Sequence, residues 1–116
     1  MQWKRVFKRD LKEKIKQSSE EFKKYRKTDE IIYLQQACNK LFSAVENFLM
    51  YKYGKRYGSY QKIRSMVSKN RYDSKLLLDA NKLHKFYYNA ELFMDRYDAE
   101  VEYKLVLDRL KRRMKR

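Results

Sequence analysis

His84 is the single histidine of this 116-residue chain and its one side chain suited to acid–base chemistry near neutral pH. If its segment is helical, Asn81, His84 and Tyr88 share a face, because they lie three and four residues apart. The trio could form a polar groove that holds a base or a phosphate. Alternatively, it could form a hydrogen-bonded network at a helix or subunit interface.

The composition argues against a disulfide and against a metal site. One histidine and one cysteine, Cys38, provide neither an internal disulfide nor a ligand set for a structural zinc. We therefore expect no metal and no cofactor, and we expect Cys38 to be a small core residue. No apolar run approaches the roughly 18 residues of a membrane helix, and the start lacks a signal-peptide hydrophobic region. The sequence thus predicts a soluble, cytoplasmic protein.

The net charge is +15, from 30 Lys and Arg against 15 Asp and Glu. Such a surplus opposes compaction and raises affinity for polyanions. The positive residues concentrate in Lys4–Lys16, Lys23–Lys27, Lys52–Arg56 and the tail Lys111–Arg116. A solvated surface would explain them, but the charge favours RNA or another phosphate-rich partner. The loop aromatics Tyr51, Tyr53, Tyr57 and Tyr60 lie among cations and could stack on bases.

Hydrophobic periodicity predicts a single all-α domain, residues 1–116, with five helical segments. With no Pro and two Gly, the chain has long stretches without a helix breaker. The first helix, about Trp3 to Tyr25, has an apolar face with three- and four-residue steps. That face comprises Trp3, Phe7, Leu11, Ile15, Ser18, Phe22 and Tyr25. Thr28 or Asp29 is the expected cap of the second helix.

The second helix, about Glu30 to Tyr53, has an apolar face wide enough to contact several helices, and Gly54 is its expected C′ residue. This face contains Ile31, Leu34, Ala37, Cys38, Leu41, Phe42, Ala44, Val45, Phe48 and Leu49. Ser59 should cap a short third helix with Tyr60, Ile63 and Val67 inside.

The last two helices have equally regular stripes. The fourth should begin at Asp73 or Ser74, and the fifth at the cap Asp98. Their expected buried faces are Leu76, Ala80, Leu83, Tyr87 and Ala90 on the fourth, and Tyr103, Leu107, Leu110 and Met114 on the fifth. Leu77, Leu78 and Phe86 fall outside the fourth stripe and would need cover, which favours a dimer.

The segments Tyr33–Glu46 and Ala80–Tyr87 resemble the archaeal branch of the HEPN superfamily, and the resemblance spans most of the chain. It implies an up-and-down bundle of four to five helices, usually a homodimer. It also implies a place among RNA-cleaving toxins, their inactive relatives and partners of small nucleotidyltransferases. An archaeal, thermophilic source would suit the Lys-, Glu-, Arg- and Tyr-rich composition.

Active members of that superfamily have an Arg shortly before a His on a late helix. His84 matches the His, but Leu77, Leu78 and Asp79 stand where the Arg is expected. The nearest preceding Arg is Arg71, about 20 Å away along a helix, so only a fold-back or a second subunit would bring it close. A symmetric dimer would supply two copies of His84 as an acid–base pair.

Two functions from different classes follow. The first is a dimeric, non-catalytic or weakly catalytic RNA-binding module, with a metal-independent RNase that uses His84 as its active variant. The expected nucleic-acid contacts are Asn81, Tyr88, Arg71, Lys55, Arg56, Lys111, Arg112 and Arg113. The second is an interaction subunit of a toxin–antitoxin-like pair with an acidic or nucleotidyltransferase partner. Membrane-surface binding by the first helix is a third reading, but the second helix needs that apolar face.

Overall fold

The part of the chain that the structure describes is mostly α-helical and contains no strand. The computed structural model describes the backbone of residues 2–55 and 58–115, and their side chains except at positions 2–4 and 7. Its helices are α1 (Gln2–Thr28), α2 (Ile31–Lys52), α3 (Tyr60–Val67), α4 (Arg71–Asn89) and α5 (Arg96–Met114), with a 3-10 turn at Ala90–Leu92. The predicted all-α bundle is confirmed. Within these ranges, no helix is long and apolar enough to cross a membrane.

α1 and α2 form an antiparallel hairpin through a two-residue connection. The Ser18 hydroxyl donates to the Ala37 carbonyl at 2.8 Å, and Lys24 lies over the Tyr33 ring. Neither Thr28 nor Asp29 is the N-cap of α2, which is Glu30 without a side-chain cap bond. Thr28 contributes differently, because its hydroxyl accepts the Glu30 N–H at 3.2 Å.

The predicted face of α1 is confirmed where its side chains are described. Leu11, Ser18 and Tyr25 are buried, and Ile15 and Phe22 pack partly against the core. The expected contributions of Trp3 and Phe7 lie outside the described side chains. Ser18 also hydrogen-bonds the Tyr103 hydroxyl at 2.8 Å, so this buried polar group is satisfied and ties α1 to α5.

α2 is the central helix, as its wide apolar face predicts. It packs against α1, α3, α4 and α5. Cys38 is fully buried in its face. The helix ends in a Schellman motif, in which Lys55 N–H donates to Met50 O and Gly54 N–H donates to Tyr51 O. Gly54 has the left-handed φ of 71° that this motif requires, so its predicted role is confirmed.

The starts of α4 and α5 differ from the expected positions. Ser59 does cap α3, through its hydroxyl and the Lys62 N–H. α4, however, begins at Arg71 with Asn70 as its cap, so Asp73 lies in the first turn. Likewise α5 begins at Arg96, with Asp95 accepting the Tyr97 N–H, so Asp98 is not the cap. In both cases a cap-forming residue three positions earlier begins the helix.

The buried apolar residues of α4 differ in part from the predicted stripe. Leu77 and Phe86 are fully buried within the chain, so they need no second subunit, and only Leu78 of that expected group is exposed, at 43%. Tyr87 and Ala90, expected in the stripe, are partly exposed. The prediction that these three residues need cover from a second subunit is therefore wrong for Leu77 and Phe86.

α5 runs antiparallel to α4 and packs mainly through Ala99, Tyr103, Val106 and Leu110. The expected residues Leu107 and Met114 are partly buried. Two ion pairs fix the register of the helices, one from Arg113 to Asp73 and one from Arg109 to Asp79. These pairs bring the start of α4 beside the end of α5, where the basic tail of the sequence begins.

Candidate nucleic-acid interface

Asp73 is a fully buried carboxylate at the junction of α2, α4 and α5. Its own N–H donates to the Asn70 side chain at 3.0 Å, which fixes it in the first turn of α4. Its carboxylate accepts hydrogen bonds from Lys52 and Tyr53, both at 2.7 Å, and from Arg113. Burial opposes ionisation, but these donors outweigh it and hold the pKa of Asp73 below its ordinary value.

The hydrogen bond between the Tyr53 hydroxyl and Asp73 also changes the pKa of Tyr53. Burial and the hydrogen bond to the Asp73 carboxylate raise the pKa of Tyr53 to about 12. The Tyr53 hydroxyl is thus used in a bond to a buried group, and the ring packs against the core. Tyr60 likewise packs beside Phe42, with ring centroids 6.2 Å apart. Two of the four aromatics expected to stack on bases therefore face the core. Tyr57 lies outside the described residues.

Asp79 is a second buried carboxylate, six residues further along α4. It pairs with Lys75 at 3.0 Å, with Lys82 at 3.4 Å and with Arg109. Burial opposes its ionisation, yet the Lys75 and Arg109 hydrogen bonds lower its pKa. Its side chain is 3% exposed, whereas Lys75 and Arg109 are 59% and 41% exposed. A buried anion thus fixes the stems of cations whose outer surfaces remain in solvent.

A cavity of about 700 Å³ opens between these two ion-pair clusters. We call it the cationic cavity. Its lining residues are Lys52, Asn70, Tyr72, Lys75, Leu76, Arg109, Arg112 and Arg113. Five of the eight are cations, and none of the eight is an acid. Because Tyr72 is 73% exposed, an aromatic ring stands at this basic surface. The positive end of the α4 dipole lies here too, so the site combines several features that attract an anion.

His84 lies on the same helix but in a different environment. Its ring stacks on Phe42 with centroids 4.4 Å apart and meets the edge of Tyr88 at 4.8 Å. Its Nδ1 is buried without a hydrogen-bond partner within the described ranges. Burial lowers the pKa of His84, because nothing compensates for the lost hydration of the charged form.

The expected trio is therefore not a hydrogen-bonded network. Tyr88 is 69% exposed and Asn81 is half-buried. No hydrogen bond or ion pair of the described residues joins His84 to a cation. α4 is continuous from Arg71 to Asn89, so no fold-back within the chain brings Arg71 to His84. Only another subunit could do so.

The other predicted contacts divide between several places. Arg112 and Arg113 line the cationic cavity. Lys111 faces a separate cavity of about 350 Å³ beside α1. Arg71 is exposed at the start of α4, next to the cavity residues Asn70 and Tyr72, and Lys55 is exposed after α2. Arg56 lies outside the described residues. The structure thus groups two of the eight predicted contacts in one cavity.

Sequence reasoning missed Lys52, Tyr72, Lys75 and Arg109 as members of the site. A signal for them does exist in the sequence. Asp73 lies three residues before Leu76, and Asp79 lies three residues after it. On a helix, this spacing puts both acids on the face that contains the apolar Leu76. A carboxylate at such a position must be paired with cations if it is buried. The i, i+4 spacing of Lys75 and Asp79 supplies one partner directly.

No protein-family model, curated protein or solved structure matches the chain. Among the described residues, no group of three or more His, Cys, Asp or Glu could hold a metal ion.

Proposed function

We propose that the chain is an RNA-binding module, non-catalytic or weakly catalytic, that contacts the polyanion through the cationic cavity and the adjoining basic surface. One observation carries the proposal: five cations converge on a concave site, and buried Asp73 and Asp79 hold four of them in place. Cations that are already ordered lose less conformational entropy when they bind a phosphate. The net charge of +15 supports the same partner class.

The proposal is tested by the salt dependence of binding. We would measure fluorescence anisotropy of a labelled single-stranded RNA between 50 and 300 mM KCl, for the wild type and for Lys75→Gln/Arg112→Gln. Both side chains are well exposed, at 59% and 74%, so the fold should survive. Loss of two phosphate contacts should lower the slope of log affinity against log salt by roughly 1.4, which is about 0.7 per contact.

The charge-matched control is Lys27→Gln/Lys62→Gln, which removes two exposed lysines from α1 and α3. It should change the slope by less than the cavity variant does. Equal slopes for both variants would place binding elsewhere, and salt-independent affinity of the wild type would refute the polyanion function. Truncation of the tail from Lys111 to Arg116 should also flatten the slope. It is a less specific test, because it removes the Arg113 partner of Asp73.

Weak or absent catalysis follows from the surroundings of His84. Cleavage without a metal needs a cation or donor set for the developing phosphorane charge, and one lost stabilising group costs about 10²-fold or more in rate. Arg71 is about 20 Å from His84 along α4. We expect feeble or no RNA cleavage in EDTA. Robust cleavage by the wild type, abolished by His84→Ala with the fold intact, would establish an active RNase instead.

The second candidate is a protein-interaction subunit, and an exposed stripe on α5 favours it. Tyr97, Val101 and Leu105 lie four residues apart on one face and are 68%, 59% and 47% exposed. Such a stripe suits a homodimer or a partner protein, including an acidic, nucleotidyltransferase-like one whose charge would meet the cations. Sedimentation velocity at micromolar concentration tests the homodimer. A single 14.5 kDa species would contradict it.

A further inference from the structure

The cationic cavity differs from a flat basic surface in shape and in how its charge is balanced. The cavity is concave and about 700 Å³ in volume, within the range of roughly 300–1,000 Å³ typical of small-molecule sites. The regularly spaced phosphates of a duplex contact an open surface, whereas a recess admits a group that protrudes. The shape therefore points to a small ligand or to the end of a strand.

The charges within hydrogen-bonding reach of one another can be counted. Five cations line the cavity: Lys52, Lys75, Arg109, Arg112 and Arg113. Three carboxylates pair with them, namely Asp73, Asp79 and Asp108. Asp79 also pairs with Lys82, which lies outside the lining, so six positive and three negative charges leave a surplus of three, enough to balance a doubly charged phosphate. A phosphomonoester carries about −1.5 to −2 near pH 7, whereas an internal phosphodiester carries one negative charge.

The remaining lining residues suit a nucleoside attached to that phosphate. Tyr72 offers an exposed ring on which a base can stack, and Leu76, which is 2% exposed, is the apolar residue of the lining. Arg112 is 74% exposed, so its guanidinium can approach either the phosphate or the base plane. The Lys75 side chain is 59% exposed, and its ammonium pairs with Asp79 at 3.0 Å.

We infer that the cationic cavity binds a nucleotide through its phosphomonoester, with the base stacked on Tyr72. The nucleotide is either free or the phosphorylated end of a strand, and the two sources share the same recognised group. This inference rests on the proposed nucleic-acid function only where the nucleotide is the end of a strand; binding of a free nucleotide does not depend on that function. It adds the ligand chemistry and assigns the roles of Tyr72 and Lys75.

The test compares ligands that differ by one phosphate. We would measure binding of the wild type to a 5′-phosphorylated and a 5′-hydroxyl octauridylate by anisotropy, and to UMP, uridine and inorganic phosphate by calorimetry. The 5′-phosphorylated strand should bind at least tenfold more tightly than the hydroxyl strand. UMP should bind more tightly than inorganic phosphate or uridine, because the ring and the cations act together.

Three variants separate the contributions. Lys75→Gln should abolish the preference for the phosphorylated strand, and the fold should persist because Asp79 keeps Arg109 and Lys82. Tyr72→Ala should weaken UMP binding about fivefold or more, and Tyr72→Phe, which keeps the ring, should not. Tyr97→Ala is the matched control, since Tyr97 is comparably exposed but lies at the opposite end of α5. It should leave UMP binding unchanged.

The outcomes distinguish this inference from the proposed function. Salt-dependent binding of both octamers with equal affinity would overturn the nucleotide site and leave the RNA-binding function standing. Binding of UMP without binding of either octamer would support the site and refute the RNA function. Inorganic phosphate binding as tightly as UMP, or Tyr72→Ala behaving like the wild type, would overturn the nucleoside part of the inference.

Discussion

Replacement of Asp73 by Asn removes one charge from the most enclosed ion-pair cluster and keeps the size of the side chain. Asp73 is fully buried and accepts three hydrogen bonds, from Lys52, Tyr53 and Arg113. Loss of one partner of a buried, hydrogen-bonded ion pair costs about 3–5 kcal/mol. Because the Lys52 and Arg113 side chains retain 38% and 18% exposure, we expect a value near the lower end, about 3 kcal/mol.

The assay is urea unfolding at pH 7, followed by far-ultraviolet circular dichroism. The matched control is Asp108→Asn, which breaks the 2.7 Å ion pair between Asp108 and Arg112 on the surface of α5. Their side chains are 56% and 74% exposed, so the control should cost less than about 1 kcal/mol. Equal losses in the two variants would refute the argument that burial makes the Asp73 cluster important.

The pH dependence of the same variant gives an independent check. The pKa of Asp73 in the folded chain lies below its ordinary value of 3.8. Its stabilising contribution is therefore complete above pH 3.8 and is lost as the pH falls through the lower folded-state pKa. The difference in unfolding free energy between wild type and Asp73→Asn should shrink below pH 3.8. A difference that stays constant down to pH 2 would contradict the ion-pair account.

Two further predictions concern strain and protonation. Ala90 has φ 48° and ψ −133°, a conformation suited to glycine, so Ala90→Gly should stabilise the fold by about 1 kcal/mol and raise the thermal midpoint. A lower midpoint would contradict the strain. Burial lowers the pKa of His84 below 6.5, so the unfolded chain binds its proton more readily and stability should decline as pH falls below 6.5. His84→Gln should reduce that decline in urea unfolding between pH 7.5 and 5.5; an unchanged slope would assign it to other groups.

The sequence predicts the helices well because each buried face repeats at three- and four-residue steps. On α2, Leu34, Cys38, Leu41 and Val45 are all fully buried, as their spacing requires. Helix ends that depend on a single residue type are also accurate, as Gly54 and Ser59 show. Prediction from hydrophobic spacing and cap residues succeeds where these local preferences agree with the tertiary environment.

The starts of α4 and α5 are harder to predict from the sequence, because several residues there can cap a helix. Asn70, Asp73 and Ser74 all accept backbone N–H groups well, as do Asp95 and Asp98. The choice depends on tertiary partners. Asp73 finds Lys52 and Tyr53, about twenty residues earlier in the chain, and becomes a buried anion instead of a cap. No local preference contains that information.

The sequence indicates that Asp73 and Asp79 need cations if they are buried, but for a related reason it does not indicate which cations form the cationic cavity. Lys52, Lys75 and Arg113 come from three helices, and the buried Asp73 and Asp79 determine which of the chain's many cations converge. Four of the five cavity cations are paired with a buried carboxylate and keep a partly exposed surface that is free for a ligand. Stability and binding should therefore separate by residue. Removal of a buried acid destabilises the fold, whereas removal of an exposed cation such as Lys75 changes recognition and leaves the fold intact.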